Sequence, residues 1–168
     1  RASAFQPRAP GDRAELKHLN VAPPDETRVT VLGEESAAGS GGIRLKDAKI
    51  VVAGGRGVGG PDNWHHIEEV SALLGAAVGC SRPVADAGWV ASSHQVGLSG
   101  TSVAPDLYIA VGISGAAQHL AGITAAKTVV AINNSADAEI FERADFGVVD
   151  DYQEVLRGFV ERVKQLRS

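Results

Sequence analysis

The chain has 168 residues, 44% hydrophobic and 21% charged, with a net charge of −4; this supports a packed core, excludes wholesale disorder, and argues against nucleic acid as a partner, since phosphate backbones are held by basic surfaces. A single cysteine, Cys80, excludes an internal disulfide and a paired-cysteine zinc site, and fits a reducing compartment. No apolar run approaches the roughly 20 residues of a bilayer span, and no signal-peptide pattern opens the chain.

Residues 1–24 are irregular and proline-bearing, and Thr27–Leu32 alternates β-branched residues in the manner of a short strand. Glu34–Gly42 is small, polar and glycine-rich, the composition of a linker. A boundary is therefore expected near residue 42, with 1–42 the tail of a preceding domain plus linker and 43–168 a domain of its own. The absence of methionine reads as a fragment or a processed product.

From Ile43 onward strands and helices alternate. Lys49–Ala53 is a continuous apolar run, expected as a strand buried on both faces. Pro61, Asp62 and Asn63 open a helix whose apolar face is Ile67, Val70, Leu73, Leu74 and Val78, with Gly79 ending it. Strands are expected near Pro83–Ala87 and Trp89. Leu107–Val111 is the next buried strand, then a glycine turn and a helix to about Ile123. Thr128–Ile132 is a strand, Ala136–Ala144 a short helix capped by Ser135, and Phe146–Val149 a strand. A final helix from about Asp151 carries Tyr152, Val155, Leu156, Phe159, Val160, Val163 and Leu166 on one face, acidic residues at its start and Lys164 and Arg167 at its end. The order implies an α/β fold, a doubly wound, mostly parallel Rossmann-like sheet with helices on both faces. Such sheets bind ligands beyond the carboxyl ends of their strands.

The residues just after each strand are therefore the informative ones. After the first comes Gly54-Gly-Arg-Gly-Val-Gly-Gly60, where residues 55–60 match the dinucleotide fingerprint GxGxxG. A stretch this rich in glycine satisfies many patterns, so a plain turn is the competing reading; Arg56 favours an anion. After Val111 comes Gly112-Ile-Ser-Gly-Ala-Ala-Gln-His119, a turn into a helix that leaves N–H groups free for an anion. Ser114 adds a hydroxyl there, and Gln118 and His119 fall in the first helical turn. Asn133 ends a third strand, and Asp150 and Asp151 either hold ribose hydroxyls or cap the last helix. Gly79–Pro83 and Gln95–Gly100 are polar loops suited to the edge of a ring system. Spacing alone indicates a phosphate-bearing nucleotide cofactor and leaves its identity open. Adjacent His65 and His66 make a poor metal pair. Ser102, His94 and Asp106 form no nucleophile elbow, and Cys80 reads as a small packed residue.

The stretch Leu107–Gly122, LYIAVGISGAAQHLAG, running on to Val130-Ala-Ile-Asn133, resembles the signature of electron-transfer flavoprotein alpha subunits. Gly54–Gly57, Cys80-Ser-Arg82 with Asp86-Ala-Gly-Trp89, Gln95-Val-Gly97 and Phe146–Asp151 resemble further family segments in the same order, so the likeness covers about residues 43–168. Arg1–Phe5 and the strand at Val29 are similar to the end of the family's first domain. The resemblance implies a C-terminal domain that binds FAD. It puts Arg56, Ser114, Gly115, Ala116 and Ala117 near the pyrophosphate, and Asn133, Asp151 and Tyr152 toward adenosine. Arg82 would lie over the flavin ring and stabilise its reduced, anionic form. His119 would donate to the ring's C2 carbonyl, and Ser99 would sit near N5. Ser81, Gln95, Val96, Gly97, Leu98 and Gln118 complete the cofactor-binding set, which includes no metal ligand and no catalytic residue.

The resemblance further implies an electron carrier without a dedicated substrate. Its expected partners are an electron-transfer flavoprotein beta subunit, donor dehydrogenases and a quinone-linked acceptor, in the cytoplasm of a bacterium or the mitochondrial matrix. Self-association through surfaces that a preceding domain would cover is also expected. The chain departs from the family at Leu98-Ser-Gly-Thr101, where Gln-Thr-Gly-Lys is usual, and at Ala117, where a larger aliphatic residue is usual. Two other readings stay open on the residues alone: a nicotinamide-dependent oxidoreductase domain, resting on Gly55–Gly60, and a non-catalytic module holding ADP.

Overall fold

The computed structural model describes residues 16–22 and 43–167. The chain divides into two compact units, Arg1–Ser40 and Gly41–Ser168. In the first, the described residues form neither helix nor strand; the strand expected at Thr27–Leu32 and the linker at Glu34–Gly42 lie outside the described residues.

The second unit is built on a sheet of five parallel strands: β1 (Ile50–Gly54), β2 (Ala77–Cys80), β3 (Leu107–Val111), β4 (Thr128–Asn133) and β5 (Phe146–Val149). Their order is β2-β1-β3-β4-β5, the flavodoxin-like arrangement in which the chain reverses direction across the sheet between β1 and β3. Alternate residues feed opposite faces. Val51, Ala53, Tyr108, Ala110, Val129 and Ala131 pack with Ile123 of α3 (Ala117–Ile123) and Ile140 of α4 (Ile140–Arg143). Val52, Ile109, Val111 and Ile132 pack with Ile67 and Val70 of α1 (His65–Leu74) and with Leu156 and Val160 of α5 (Tyr152–Arg167). With both faces covered, the inner strands read as near-continuous apolar runs, as parallel sheets require, with Thr128 and Asn133 at the ends of β4 the polar exceptions. β2 and β5 are the edges, and Phe146 of β5 is 65% exposed.

Several sequence expectations change, the strand near Trp89 among them: that residue lies in a bend. The helix expected to run to Val78 stops at Leu74. Gly75 takes φ 62, its N–H bonds Ala72 O, and Ala76 N–H bonds Ser71 O, a pairing that closes a helix end and needs a left-handed residue. This frees Ala77–Cys80 to form β2. Pro83–Ala87 is not a strand: α2 (Arg82–Asp86) occupies it, because proline in a helix's first turn removes an N–H that has no partner there anyway. The helix expected at Ala136–Ala144 is only the single turn α4, and Ser135 does not cap it: the helix starts at Ile140, its cap position is Glu139, and no side chain caps it.

Candidate functional site

The carboxyl ends of β1 and β3 run into two glycine turns that touch. Gly55 N–H donates to Val111 O at 2.8 Å and Gly57 N–H to Gly112 O at 3.0 Å. A Cβ on Gly55 would stand 2.2 Å from Gly112 O, and one on Gly57 2.8 Å from Gly112 Cα. Gly112 itself has φ 60. These glycines are required by backbone meeting backbone. Gly60, by contrast, has open space where its Cβ would be. Residues 56–58 form a single 3-10 turn and α1 begins only at His65. The fingerprint at 55–60 therefore lacks the helix that should open on it.

The β3 turn is held by its carbonyls. Gly112 O accepts from Gly57, Ile113 O from Asn133 Nδ2 at 2.9 Å, and Ser114 O from Ile140 N–H at 2.9 Å. The N–H groups of Ser114, Gly115 and Ala116 have no protein acceptor among the described residues. A turn whose carbonyls are spent and whose N–H groups are free favours an anion.

A cleft of about 460 Å³ opens at this junction. Arg56 lines it from the β1 turn, with Gly55 and Gly57. Ser81 and Arg82 line it from the end of β2 and the start of α2, joined by Pro83. Gln95, Val96, Gly97, Leu98 and Ser99 form one wall. Ser114, Ala116, Gln118 and His119 line it from the β3 turn and α3, with Gly112 and Ile113, and Asn133 from the end of β4. Five sequence-distant segments thus converge on one cavity. Arg82 lies along α2, its Nε 3.2 Å from Asp86 Oδ2 with the side chain 66% exposed. Gln95 Nε2 donates to Ser99 Oγ at 2.9 Å.

Four of the expected residues do not line the cavity. Gly115 offers it only its free backbone N–H and is needed for packing: with φ 95, a Cβ there would be 2.1 Å from Ile140 N. Ala117 is the first residue of α3 and does not line the cleft. Asp151 caps α5, its Oδ1 accepting from Gln153 N–H at 2.8 Å. Tyr152 donates its hydroxyl to Val58 O at 3.0 Å, tying α5 to the β1 turn. Asn133, although on the cleft wall, spends both ends of its amide internally, on Ile113 O and Ser135 N–H. Gly55, Gly57, Pro83, Gly112 and Ile113 also line the cleft; sequence reasoning puts them in cofactor-facing turns and loops but does not name them in the cofactor-binding set.

His119 is the buried titratable group of the cleft wall, 6% exposed. Its Nε2 lies 2.9 Å from the Tyr108 hydroxyl. Its Nδ1 is buried with no hydrogen bond of ordinary geometry. Burial pushes its pKa down to about 4, the Val96 backbone opposing this weakly, so the ring is neutral near pH 7. Cys80, below the cleft, is pushed up to about 12 by burial and is an inert thiol. No group of three or more potential metal ligands occurs among the described residues, nor is any described helix long and apolar enough to cross a membrane.

Residues 44–124 match the family model of the electron transfer flavoprotein FAD-binding domain. The chain is 51% identical to the electron transfer flavoprotein subunit alpha of Thermoanaerobacterium thermosaccharolyticum over 125 residues, 74% of this chain and 38% of that protein. It is 41% identical to the corresponding subunit of Mycobacterium leprae over 164 residues, 98% of this chain and 52% of that one. The mitochondrial alpha subunit of Oryza sativa subsp. indica is 41% identical over 158 residues, 88% of this chain and 44% of that one. The chain thus spans from 38% to 52% of the length of these relatives. It belongs to the electron transfer flavoprotein alpha-subunit family, which it matches through the FAD-binding domain.

Proposed function

We propose that the chain binds FAD in the cleft at the β1–β3 junction and serves as the flavin-holding part of an electron carrier. The observation that carries this is the set of polar atoms left without a well-formed hydrogen bond there among the described residues: the N–H groups of Ser114 and Ala116, and the buried Nδ1 of His119. The residues fit a flavin dinucleotide. Free N–H groups and Arg56 suit a pyrophosphate. Val96, Gly97 and Pro83 offer apolar surface to a ring, and Arg82, Ser99 and His119 offer polar groups at its edge. When bound, FAD would supply the one- and two-electron chemistry; the protein binds and orients it. In this reading Arg82 places a fixed positive charge on the ring side of the cleft, and neutral His119 adds a hydrogen bond rather than a charge.

Asp151 and Tyr152 act on the adenosine side by fixing the start of α5, with no need of direct contact. Residues 1–42 are the tail of a preceding domain plus its linker. A beta subunit, donor dehydrogenases and a quinone-linked acceptor are the partners of the whole carrier, which has no substrate of its own. Bacterial and mitochondrial relatives support a cytoplasmic or matrix location.

The test is titration of the purified chain with FAD, NAD and ADP, followed by flavin absorbance and fluorescence. Saturable uptake of FAD, with NAD and ADP bound at least about tenfold more weakly, is expected. Equal binding of ADP and FAD would reduce the cleft to a nucleotide module without flavin contacts, and tight NAD binding without FAD would overturn the proposal.

A further inference from the structure

Beneath the cleft lies a buried polar pair that ligand contact alone does not explain. Tyr108 sits within β3 with 0% exposure. Its hydroxyl is 2.9 Å from His119 Nε2, and the two rings are tilted by 58° with centroids 6.1 Å apart. A phenol in the core needs a partner, and its hydroxyl bonds to His119. Burial keeps both groups neutral: it raises the Tyr108 hydroxyl well above its ordinary value and lowers His119 to about 4. The Cys80 thiol, which acts on Tyr108 in the same direction, is also protonated.

A neutral imidazole has one N–H and one lone pair. If Nε2 held the proton, it would donate to the phenol oxygen, and the tyrosine O–H would be stranded in the core. Nδ1, which has no hydrogen bond of ordinary geometry, would then be a bare buried acceptor as well, with the Val96 backbone the only group acting weakly on the ring besides burial. If Nδ1 holds the proton, the tyrosine donates to Nε2 and both phenol and lone pair are satisfied. The group still without a well-formed bond is then the Nδ1–H, on a residue that lines the cleft.

We propose that Tyr108 is a positioning residue: by donating its hydroxyl proton to His119 Nε2, it holds the ring in the Nδ1–H form and so gives the cleft a neutral donor in place of an acceptor. The chemistry this selects is a carbonyl oxygen on the ligand's ring. The inference deepens the flavin reading of the same cleft and rests on it for the identity of that ring.

The experiment is nitrogen NMR of the 168-residue chain with labelled histidine, without and with FAD. His119 signals are assigned by their loss in His119→Gln. Near neutral pH the wild type is expected to show a pyrrole-type Nδ1 and a pyridine-type Nε2. Tyr108→Phe, which removes only the hydroxyl, is expected to move the proton to Nε2 and to weaken FAD binding about fivefold. A wild-type ring protonated at Nε2 overturns the proposal, as does a Tyr108→Phe chain whose tautomer is unchanged. If the phenylalanine variant fails to fold, the wild-type tautomer decides alone. Failure of the flavin reading looks different: the wild-type tautomer is Nδ1–H, but FAD does not bind.

Discussion

At the ends of β4 and β5 the polar side chains Asn133, Asp151 and Tyr152 are bonded within the protein, to Ile113 O and Ser135 N–H, to Gln153 N–H, and to Val58 O. At the ends of β1 and β3 the pattern is reversed. There the carbonyls of Gly112, Ile113 and Ser114 are occupied, while the N–H groups of Ser114, Gly115 and Ala116 have no protein acceptor among the described residues and the Nδ1 of His119 has no hydrogen bond of ordinary geometry. Both regions lie at the carboxyl ends of the strands and are rich in polar residues, so polar richness does not mark the site. What distinguishes it is which atoms the fold leaves unpaired. The β4–β5 side works as a brace: Asn133 holds the β3 turn, and Tyr152 holds the β1 turn from α5.

Three perturbations separate brace from cleft, in descending size. Gly55→Ala forces a methyl within 2.2 Å of Gly112 O, where both neighbours are backbone. The two turns must part, at a cost above about 3 kcal/mol in denaturant unfolding, and flavin uptake is lost with them. Acid comes next. His119 has a folded pKa of about 4 against the ordinary 6.5, so the unfolded chain binds more protons between those values. Its contribution is fully present above pH 6.5 and is lost as pH falls through 4, on the order of 3 kcal/mol. Unfolding measured across that window should show the slope in the wild type and lose it in His119→Gln. The smallest effect is Tyr152→Phe, which removes the part-buried hydrogen bond to Val58 O and an exposed one accepted from Gln153 Nε2. It should cost about 1 kcal/mol of stability and leave the cleft's affinity nearly unchanged; a loss of flavin binding out of proportion to stability would make Tyr152 a contact residue instead of a brace.

The same contrast divides what a sequence can express from what it cannot. Leu107–Val111 and Phe146–Val149 are legible as strands because each is an apolar run bounded by turn residues. β2 is not, because it has only four residues and its Val78 falls on the helical period of α1, so the break at Gly75 is masked. The turn after β3 is readable as an anion site because strand, glycine and helix start are contiguous in sequence. The roles of Asp151 and Tyr152 are less so. Capping by Asp151 is local and is one of the two readings its position allows, whereas the partner of Tyr152 lies 94 residues away. The contact between Gly55 and Gly112 is equally non-local, so the same glycines that resemble a dinucleotide fingerprint are needed for a different reason. The Tyr108 hydroxyl is hidden in a similar way: a tyrosine in an apolar strand reads as core, and only the fold sets His119 against it.

The central claim, that the unpaired donors at the β1–β3 junction are the ligand's, is tested most directly by amide NMR of the chain during FAD addition. The largest shifts are expected at Ser114, Gly115 and Ala116 and in the His119 ring, with Asp151 and Tyr152 moving little. Shifts centred on Asp151 and Tyr152, with the β3 turn unmoved, would contradict it.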